Sequence, residues 1–422
     1  MSSQGGHRWR SSQTLRSIGI IGALFLNTFE YSFIVPIINE IFECRLHIDP
    51  SKTQANVSGI LAIHGLTALF SAPIIGHFAD QTAKKKLALL VSVSGYIPGT
   101  LLIAWSPALW AVYIGRVIQA LSGTGVWIVG FAALTQLANA SKLGSLMGVT
   151  MSFITGGIII GPLAGGTFLS LLGYWPAWIV TLAMISLDVL ILCAMILPNE
   201  TTHDEESEPL LAESHSQNDE VSDWIFYRTI LTDSRALVCL AVAFVLSLIM
   251  SSFDTTLPLH VRDAFSFGAM TIGQMFALLQ LPALLLNPLA GKLRDKVGLR
   301  WPTVMGFALL TPLLLLLGSP GFFDWASPNA AGKLIFMISL ALIGAATSLI
   351  VSVAPIGLTE ILAEYEAENP YIFGAKGGAS KIFSTEESAW TGGLLVGPLL
   401  SGFLNETIGY FWMNLFLGKA FP

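Results

Sequence analysis

The chain runs to 422 residues, 53% of them hydrophobic and only 11% charged, where soluble domains carry roughly 25% charge. Such a composition excludes a soluble globular protein and predicts an all-α membrane protein. The formal net charge of −6 offers no basic footprint for nucleic acid, and Cys44, Cys193 and Cys239 show neither metal-ligand spacing nor a disulfide framework.

In chain order, residues 1–17 are a polar cytoplasmic tail with no cleavable signal. Apolar stretches of about 18 to 25 residues, enough for a helix to cross ~30 Å of hydrocarbon, begin near Ile18, Gln54, Leu87, Leu109, Gly144 and Trp175. Residues 18–197 therefore form a first half of six helices. Residues 198–234 are an acidic linker rich in Asp, Glu, Ser and Asn, a composition that predicts a solvated, disordered cytoplasmic loop. Six further spans begin near Arg235, Met270, Trp301, Gly332, Ala375 and Ile408, so residues 235–422 make a second half. The last span is expected to be short or truncated, since Ile408 to Pro422 falls short of the about 20 residues a crossing takes. With the N-terminus in the cytoplasm, 15 of the 21 basic residues lie on inner segments, as the positive-inside rule demands.

Two signatures occur twice. Gly76-His-Phe-Ala-Asp80, followed by Lys84, Lys85 and Lys86, returns in the second half as Gly291-Lys-Leu-Arg-Asp295, followed by Arg300. Gly157-x-x-x-Gly161-Pro162 returns, at a somewhat larger offset, as Gly393-x-x-x-Gly397-Pro398. Parallel repeats of this kind build two six-helix halves related by a pseudo-twofold along the membrane normal, with a site near the bilayer midplane. Asp80 and Asp295 can lie at the N-terminus of a neighbouring helix, where an anion is favoured by ~0.3 to 1 kcal/mol. The glycines permit close helix approach, and each proline bends its helix. Gly76, Asp80, Gly157, Gly161, Pro162, Gly291, Asp295, Arg300, Gly397 and Pro398 are accordingly the candidates for gating, with Gly161 and Pro162 expected to seal against a helix of the other half.

A charge at mid-bilayer costs roughly 2.5 to 3.5 kcal/mol on insertion scales, so ionisable groups inside spans need a reason. Glu30 lies mid-way along span 1, with Asn27 one turn away on the same face, and Asp254 lies late in span 7. Their separation falls between the offsets of the two repeated signatures, which predicts comparable places in the two halves and one cavity holding both carboxylates as proton carriers. Arg116 in span 4 shares a face with Gln119 and calls for a buried acid, with Asp80 and Glu30 the two candidates. The plainer alternative is that each acid is paired inside the bundle for structure alone. Asp188 in span 6 is either a helix–helix polar contact or a site residue.

These strings resemble the major facilitator superfamily, and within it the twelve-span drug:proton antiporters, over nearly the whole chain. Gly76 to Lys86 is similar to the family's inner-loop signature between spans 2 and 3, Arg116 to Gly123 to its span-4 Arg-Gln signature, and Gly157 to Gly166 to its antiporter signature. Phe33-Ile-Val-Pro36, Val126-Trp127-Ile-Val-Gly130, Leu187-Asp188, Ser252-Phe-Asp254 and Pro355-x-x-x-x-Glu360 further resemble a fungal branch related to vesicular monoamine transporters. The resemblance implies that the span-4 Arg supports proton coupling, that the span-5 string controls occlusion, and that acid chemistry in span 1 engages cationic substrates. The candidate substrate- and proton-binding set is Asn27, Glu30, Asp254, Arg116, Gln119 and Glu360. Asn27 stands where relatives usually carry an acid, Ala83 and Ala120 where they prefer Gly, and Lys381, Glu386 and Glu387 charge a span that is usually neutral.

The resemblance and the intramembrane acids together imply a proton-coupled antiporter that exports small cationic or amphiphilic organic molecules. It would draw on the proton gradient with no cofactor, and act as a monomer in the lipid bilayer with its substrate and protons as partners. No phosphate-cradling G-x-x-x-x-G-K-[ST] loop occurs, and no nucleophile–base constellation suggests an enzyme. A proton-coupled nutrient importer and a transport-inactive homologue are the alternatives. The plasma membrane is preferred to a vacuole, although Glu206-Ser-Glu208-Pro209-Leu210-Leu211 fits an acidic dileucine sorting pattern.

Overall fold

Inside hydrocarbon every backbone N–H and C=O must be satisfied within the protein, and a chain this apolar meets that demand by coiling into helix. The computed structural model describes residues 13–38, 40–82, 85–137, 140–195, 223–265, 269–323, 330–369, 372–373 and 377–420, which form helices joined by short turns, with no strand among them. Helices α1 (Gln13–Phe33), α2 (Pro50–Gln81), α3 (Lys85–Trp105), α4 (Leu109–Leu137), α5 (Leu143–Leu172) and α6 (Tyr174–Ala194) meet the six spans expected of the first half. After α7 (Asp223–Thr232) come α8 (Ser234–Phe265), α9 (Ala269–Val297), α10 (Arg300–Gly318), α11 (Ala330–Thr347), α12 (Val353–Glu368), α13 (Ala379–Ile408) and α14 (Tyr410–Ala420). Among the described residues, nine of these helices are long and apolar enough to cross a membrane. The protein is an integral, multi-pass membrane protein. Its last helix is short, at 11 residues.

Two differences from the expected pattern have local causes. The composition of the linker predicts loop throughout, yet its end forms α7, because Phe226 and Ile230 at i, i+4 make an apolar stripe; both are buried, Phe226 against the Phe373 ring at 5.1 Å. Residues 196–222, with the dileucine string, lie outside the described residues, as do Ala83 and Lys84. Span 10 is broken between α11 and α12. Pro355 has no N–H and its ring opposes the carbonyl four residues back, and ahead of it Leu349 and Ile350 form tight turns to Ala346 and Thr347.

Arg294 occupies the break. Its guanidinium donates to the Ser348 carbonyl at 2.8 Å and to Ser352 Oγ at 2.7 Å, and the side chain is buried. Its place among inner basic residues predicts a solvated cation, and the same holds for Lys381, which is buried near the Phe226 ring at 5.8 Å. Arg294→Met would leave the Ser348 carbonyl with no donor from this side chain, at a cost of about 1 to 3 kcal/mol. A lowered thermal midpoint in detergent is the expected result, and an unchanged midpoint would show that the break holds without Arg294.

The repeat extends into the turns. Gly173 joins α5 to α6 with φ 88°, and Gly409, displaced from it by the same offset that separates Gly157 from Gly393, joins α13 to α14 with φ 84°. Nothing crowds either Cβ position; glycine serves there because other residues resist the left-handed region.

The residues cluster into two compact units. One comprises Met1–Ala138, Ile160–Leu237 and Leu358–Ser388, and the other Asn139–Ile159, Val238–Gly357 and Ala389–Pro422. In the first, α4 is packed by α1, α2 and α3, while α6 lies on α1 and α3. In the second, α11 packs between α9 and α10, α14 lies on α10, and Phe253, Leu257, Leu314, Phe336, Leu340 and Met413 form the core.

Candidate functional site

Helix α3 meets α4 at two glycines. A Cβ on Gly115 would stand 2.9 Å from the Gly99 carbonyl oxygen, so neither position has room for a side chain. That close approach sets Thr100 of α3 beside Gln119 of α4, and a directional chain of hydrogen bonds follows. Arg116 Nη1 donates to Gln119 Oε1 at 3.0 Å, Gln119 Nε2 donates to Thr100 Oγ1 at 2.9 Å, and Thr100 Oγ1 donates to Glu30 Oε2 at 3.3 Å. All four side chains are at most 2% exposed. Glu30 Oε1 is buried and has no hydrogen-bond partner among the described residues.

The expected direct pairing of Arg116 with Asp80 or Glu30 is therefore corrected. Among the described residues Arg116 forms no ion pair; it reaches Glu30 through Gln119 and Thr100, donates to the Tyr31 carbonyl at 3.5 Å, and lies 5.4 Å from the centroid of the Tyr31 ring. The guanidinium does reach α1, but at the Tyr31 carbonyl and ring, while Gln119 and Thr100 stand between it and the Glu30 carboxylate. Asn27 takes a hydrogen bond from the Tyr96 hydroxyl, and both side chains press on Gly123, where a Cβ would meet Asn27 Oδ1 at 2.7 Å. Asp188 is buried in α6 with Oδ1 3.0 Å from where a Gly22 Cβ would be. Glu360 is exposed on α12.

Glycines in α5 fix the neighbouring stretch of α1. A Cβ on Gly161 would lie 2.8 Å from the Phe29 carbonyl oxygen and 3.1 Å from Phe33 N, and would also strike Ser32 Oγ. The partner of Gly161 is thus α1 of the first half, not the second-half helix expected; the earlier turns of the same helix are the ones that meet α9, with Ser152 Oγ donating to the Leu284 carbonyl at 2.7 Å. Gly157 is buried and Pro162 half-buried. In the other unit Gly397 meets α8 in the same way, its Cβ position striking Ser251 Oγ and lying 2.6 Å from the Leu248 carbonyl oxygen, with Pro398 half-buried beside it.

These paired contacts equate Ser32 with Ser251 and Phe29 with Leu248, both pairs at one common offset. Glu30 then corresponds to Ile249, and Asp254 to Val35. The expectation that the two acids hold comparable positions is overturned: Asp254 stands five positions beyond the counterpart of Glu30, about 7.5 Å along a helix axis and about 140° around it. Glu30 is buried, and Asp254 is exposed on α8.

Both signature aspartates cap helices. Asp80 accepts from the backbone N–H of Ser380 at 2.7 Å and of Lys381 at 2.9 Å, at the start of α13, with Lys85 3.9 Å away. Asp295 accepts from the N–H of Gly144 at 2.7 Å and of Ser145 at 2.8 Å, at the start of α5, and from the Ser145 hydroxyl. The glycines make this possible: a Cβ on Gly76 would meet Ser384 at 2.5 Å, and one on Gly291 would strike the Gly144 carbonyl. Arg300 is exposed at the start of α10. On the loop before α8, burial raises the Asp233 carboxyl, but hydrogen bonds from Arg235 and Tyr365 outweigh it and hold the group below the usual carboxylate range.

Thr100, Tyr31 and Tyr96 carried no motif in the sequence. Their one advance signal was polarity inside an apolar span. His64 joins them, its ring 5.0 Å from that of Tyr31.

The family model described as Major Facilitator Superfamily matches residues 20–369. An uncharacterized MFS-type transporter of Schizosaccharomyces pombe is 29% identical, over 93% of this chain and 90% of its own length. Multidrug resistance protein MdtG of Proteus mirabilis is 24% identical, over 92% of this chain and 88% of its own. The structure of the human organic anion transporter MFSD10 superposes with a TM-score of 0.75 at 16% identity, covering 97% of this chain and 98% of that one, a likeness of fold. With the repeated signatures, the capped helices and the glycine-fixed spans, the match over most of its length shows that this chain belongs to the major facilitator superfamily of transporters.

Proposed function

We propose that the protein is a proton-coupled antiporter that exports small cationic or amphiphilic organic molecules, at the plasma membrane. The observation that carries this is the buried chain from Arg116 through Gln119 and Thr100 to Glu30. As a carboxylate, Glu30 only accepts, and Thr100 donates to it. A proton arriving at Oε1, which has no hydrogen-bond partner among the described residues, leaves Oε2 to accept from Thr100 but removes the charge that strengthens that bond. A proton arriving or leaving is thus felt on α1, α3 and α4 together. The name of the Proteus mirabilis relative, a multidrug resistance protein, favours efflux of organic molecules.

Purified protein in liposomes loaded with ethidium and given an imposed pH gradient tests this. Ethidium should move uphill when protons flow the opposite way, and stay put when the gradient is collapsed. Uphill movement in the same direction as the protons would overturn antiport in favour of the importer. Leu210→Ala with Leu211→Ala should leave the surface location of a tagged chain unchanged; loss of an internal location in that variant would place the protein on a vacuole-like membrane.

A further inference from the structure

Glu386, like Glu30, is an acid buried in the first unit whose hydrogen-bond partner is neutral. It sits on α13, 3% exposed, and accepts from Trp127 Nε1 of α4 at 3.1 Å. No cation pairs with it within 4 Å among the described residues; Lys381, earlier on the same helix, lies against Phe226. Beside it an aromatic ladder runs from Trp127 to Phe131, with ring centroids 4.8 Å apart, and on to Phe383 at 5.5 Å. Phe131 and Phe383 are sealed in the core, whereas Trp127 and Glu387 are partly exposed, so the ladder opens at the Glu386 end.

Packing does not explain an acid here. Glutamine would accept the same Trp127 N–H with no ionisable group in the span, whereas a charge there is costly. Trp127 meets the carboxylate by its N–H edge, and an aromatic ring beside a carboxylate suits a desolvated organic cation, since the ring's face and the negative charge can act on the same group. We propose that Glu386 and Trp127 form a binding point for the cationic group of the transported organic molecule, separate from the Glu30 chain. The proposal rests on the substrate being cationic, as put forward above.

Equilibrium binding of tetraphenylphosphonium to the purified full chain in detergent tests it. Glu386→Gln, which keeps the Trp127 acceptor, should raise the Kd at least tenfold. Glu386→Asp, which keeps the charge, should raise it less. Saturating tetraphenylphosphonium should also protect Glu386 of the wild-type chain from dicyclohexylcarbodiimide, read by peptide mass spectrometry, a result independent of how any variant folds. Equal Kd values for wild type and Glu386→Gln, or carbodiimide labelling of Glu386 that the cation does not change, overturn the binding point alone. A wild-type chain that binds no tetraphenylphosphonium overturns it together with the cationic substrate class.

Discussion

Glu30→Gln is expected to lower pH-driven efflux by about 100-fold or more, which corresponds to roughly 2.7 kcal/mol of lost driving interaction, while exchange of internal for external substrate continues. The glutamine amide has an oxygen that can take the Thr100 hydroxyl bond at the 3.3 Å position of Oε2, so α1 keeps its packing. What the amide lacks is a proton to release. Exchange needs the helices to alternate with substrate bound but moves no net proton, and it should survive. Arg116→Lys makes the companion test, because a lysine ammonium is a point charge without the guanidinium fork that reaches Gln119 Oε1 and the Tyr31 carbonyl together. It should reduce efflux and exchange alike. If Glu30→Gln leaves efflux intact, the buried chain is structural and the proton travels elsewhere.

The class of the protein was legible because it rests on composition and on strings that repeat. Asp80 and Asp295, with Gly76 and Gly291, stand in equivalent signatures and cap helices in equivalent ways. The alignment of the two acids was not legible. The offset between halves is smallest at Asp80 and Asp295, larger at Ser32 and Ser251, and largest at Gly161 and Gly397, since the loops between spans differ in length. Interpolating among offsets therefore placed Asp254 opposite Glu30 when its true counterpart is Val35. Only the contact of Gly161 with Ser32, and of Gly397 with Ser251, fixes the register of α1 against α8.

Arg294 and Thr100 were hidden among similar residues. Arg294 stood among Lys292, Lys296 and Arg300, where a basic cluster has a sufficient cause in topology, and nothing in the string separates the one buried cation from three exposed ones. Thr100 shares its apolar span with Ser92 and Ser94, which bond back to their own helix as such residues commonly do, and nothing in the string sets it apart from them. Its role appears only when the Gly99–Gly115 approach sets it between Gln119 and Glu30. The span-11 acids, by contrast, were visible as departures from the family pattern. Glu386 did prove to be buried and paired with a neutral donor.

Gly161→Leu is expected to abolish coupled transport while the protein still inserts, since leucine itself favours insertion by about 0.3 to 0.6 kcal/mol at a helix centre. At Gly161 even a methyl would stand 2.8 Å from the Phe29 carbonyl oxygen, closer than real Cβ contacts come, and that oxygen belongs to a helix that cannot yield as a side chain would. Helix α1 must therefore move away from α5. Glu30 is the next residue, and its bond to Thr100 is already long at 3.3 Å, so a displacement of about 1 Å takes it beyond hydrogen-bond range and severs the chain to Arg116. Gly397→Leu supplies the control. It drives the same collision, 2.6 Å from the Leu248 carbonyl oxygen, against a helix where Ile249 stands in the place of Glu30. Both variants disturb packing, but only Gly161→Leu displaces a buried acid, since Asp254 on α8 is exposed. In liposomes given a pH gradient, Gly397→Leu should retain proton-linked ethidium movement at a reduced rate, while Gly161→Leu should show none, or a proton leak without ethidium. Equal coupling in the two variants would mean that the α1–α5 contact serves packing alone, and that the position of Glu30 does not set the exchange.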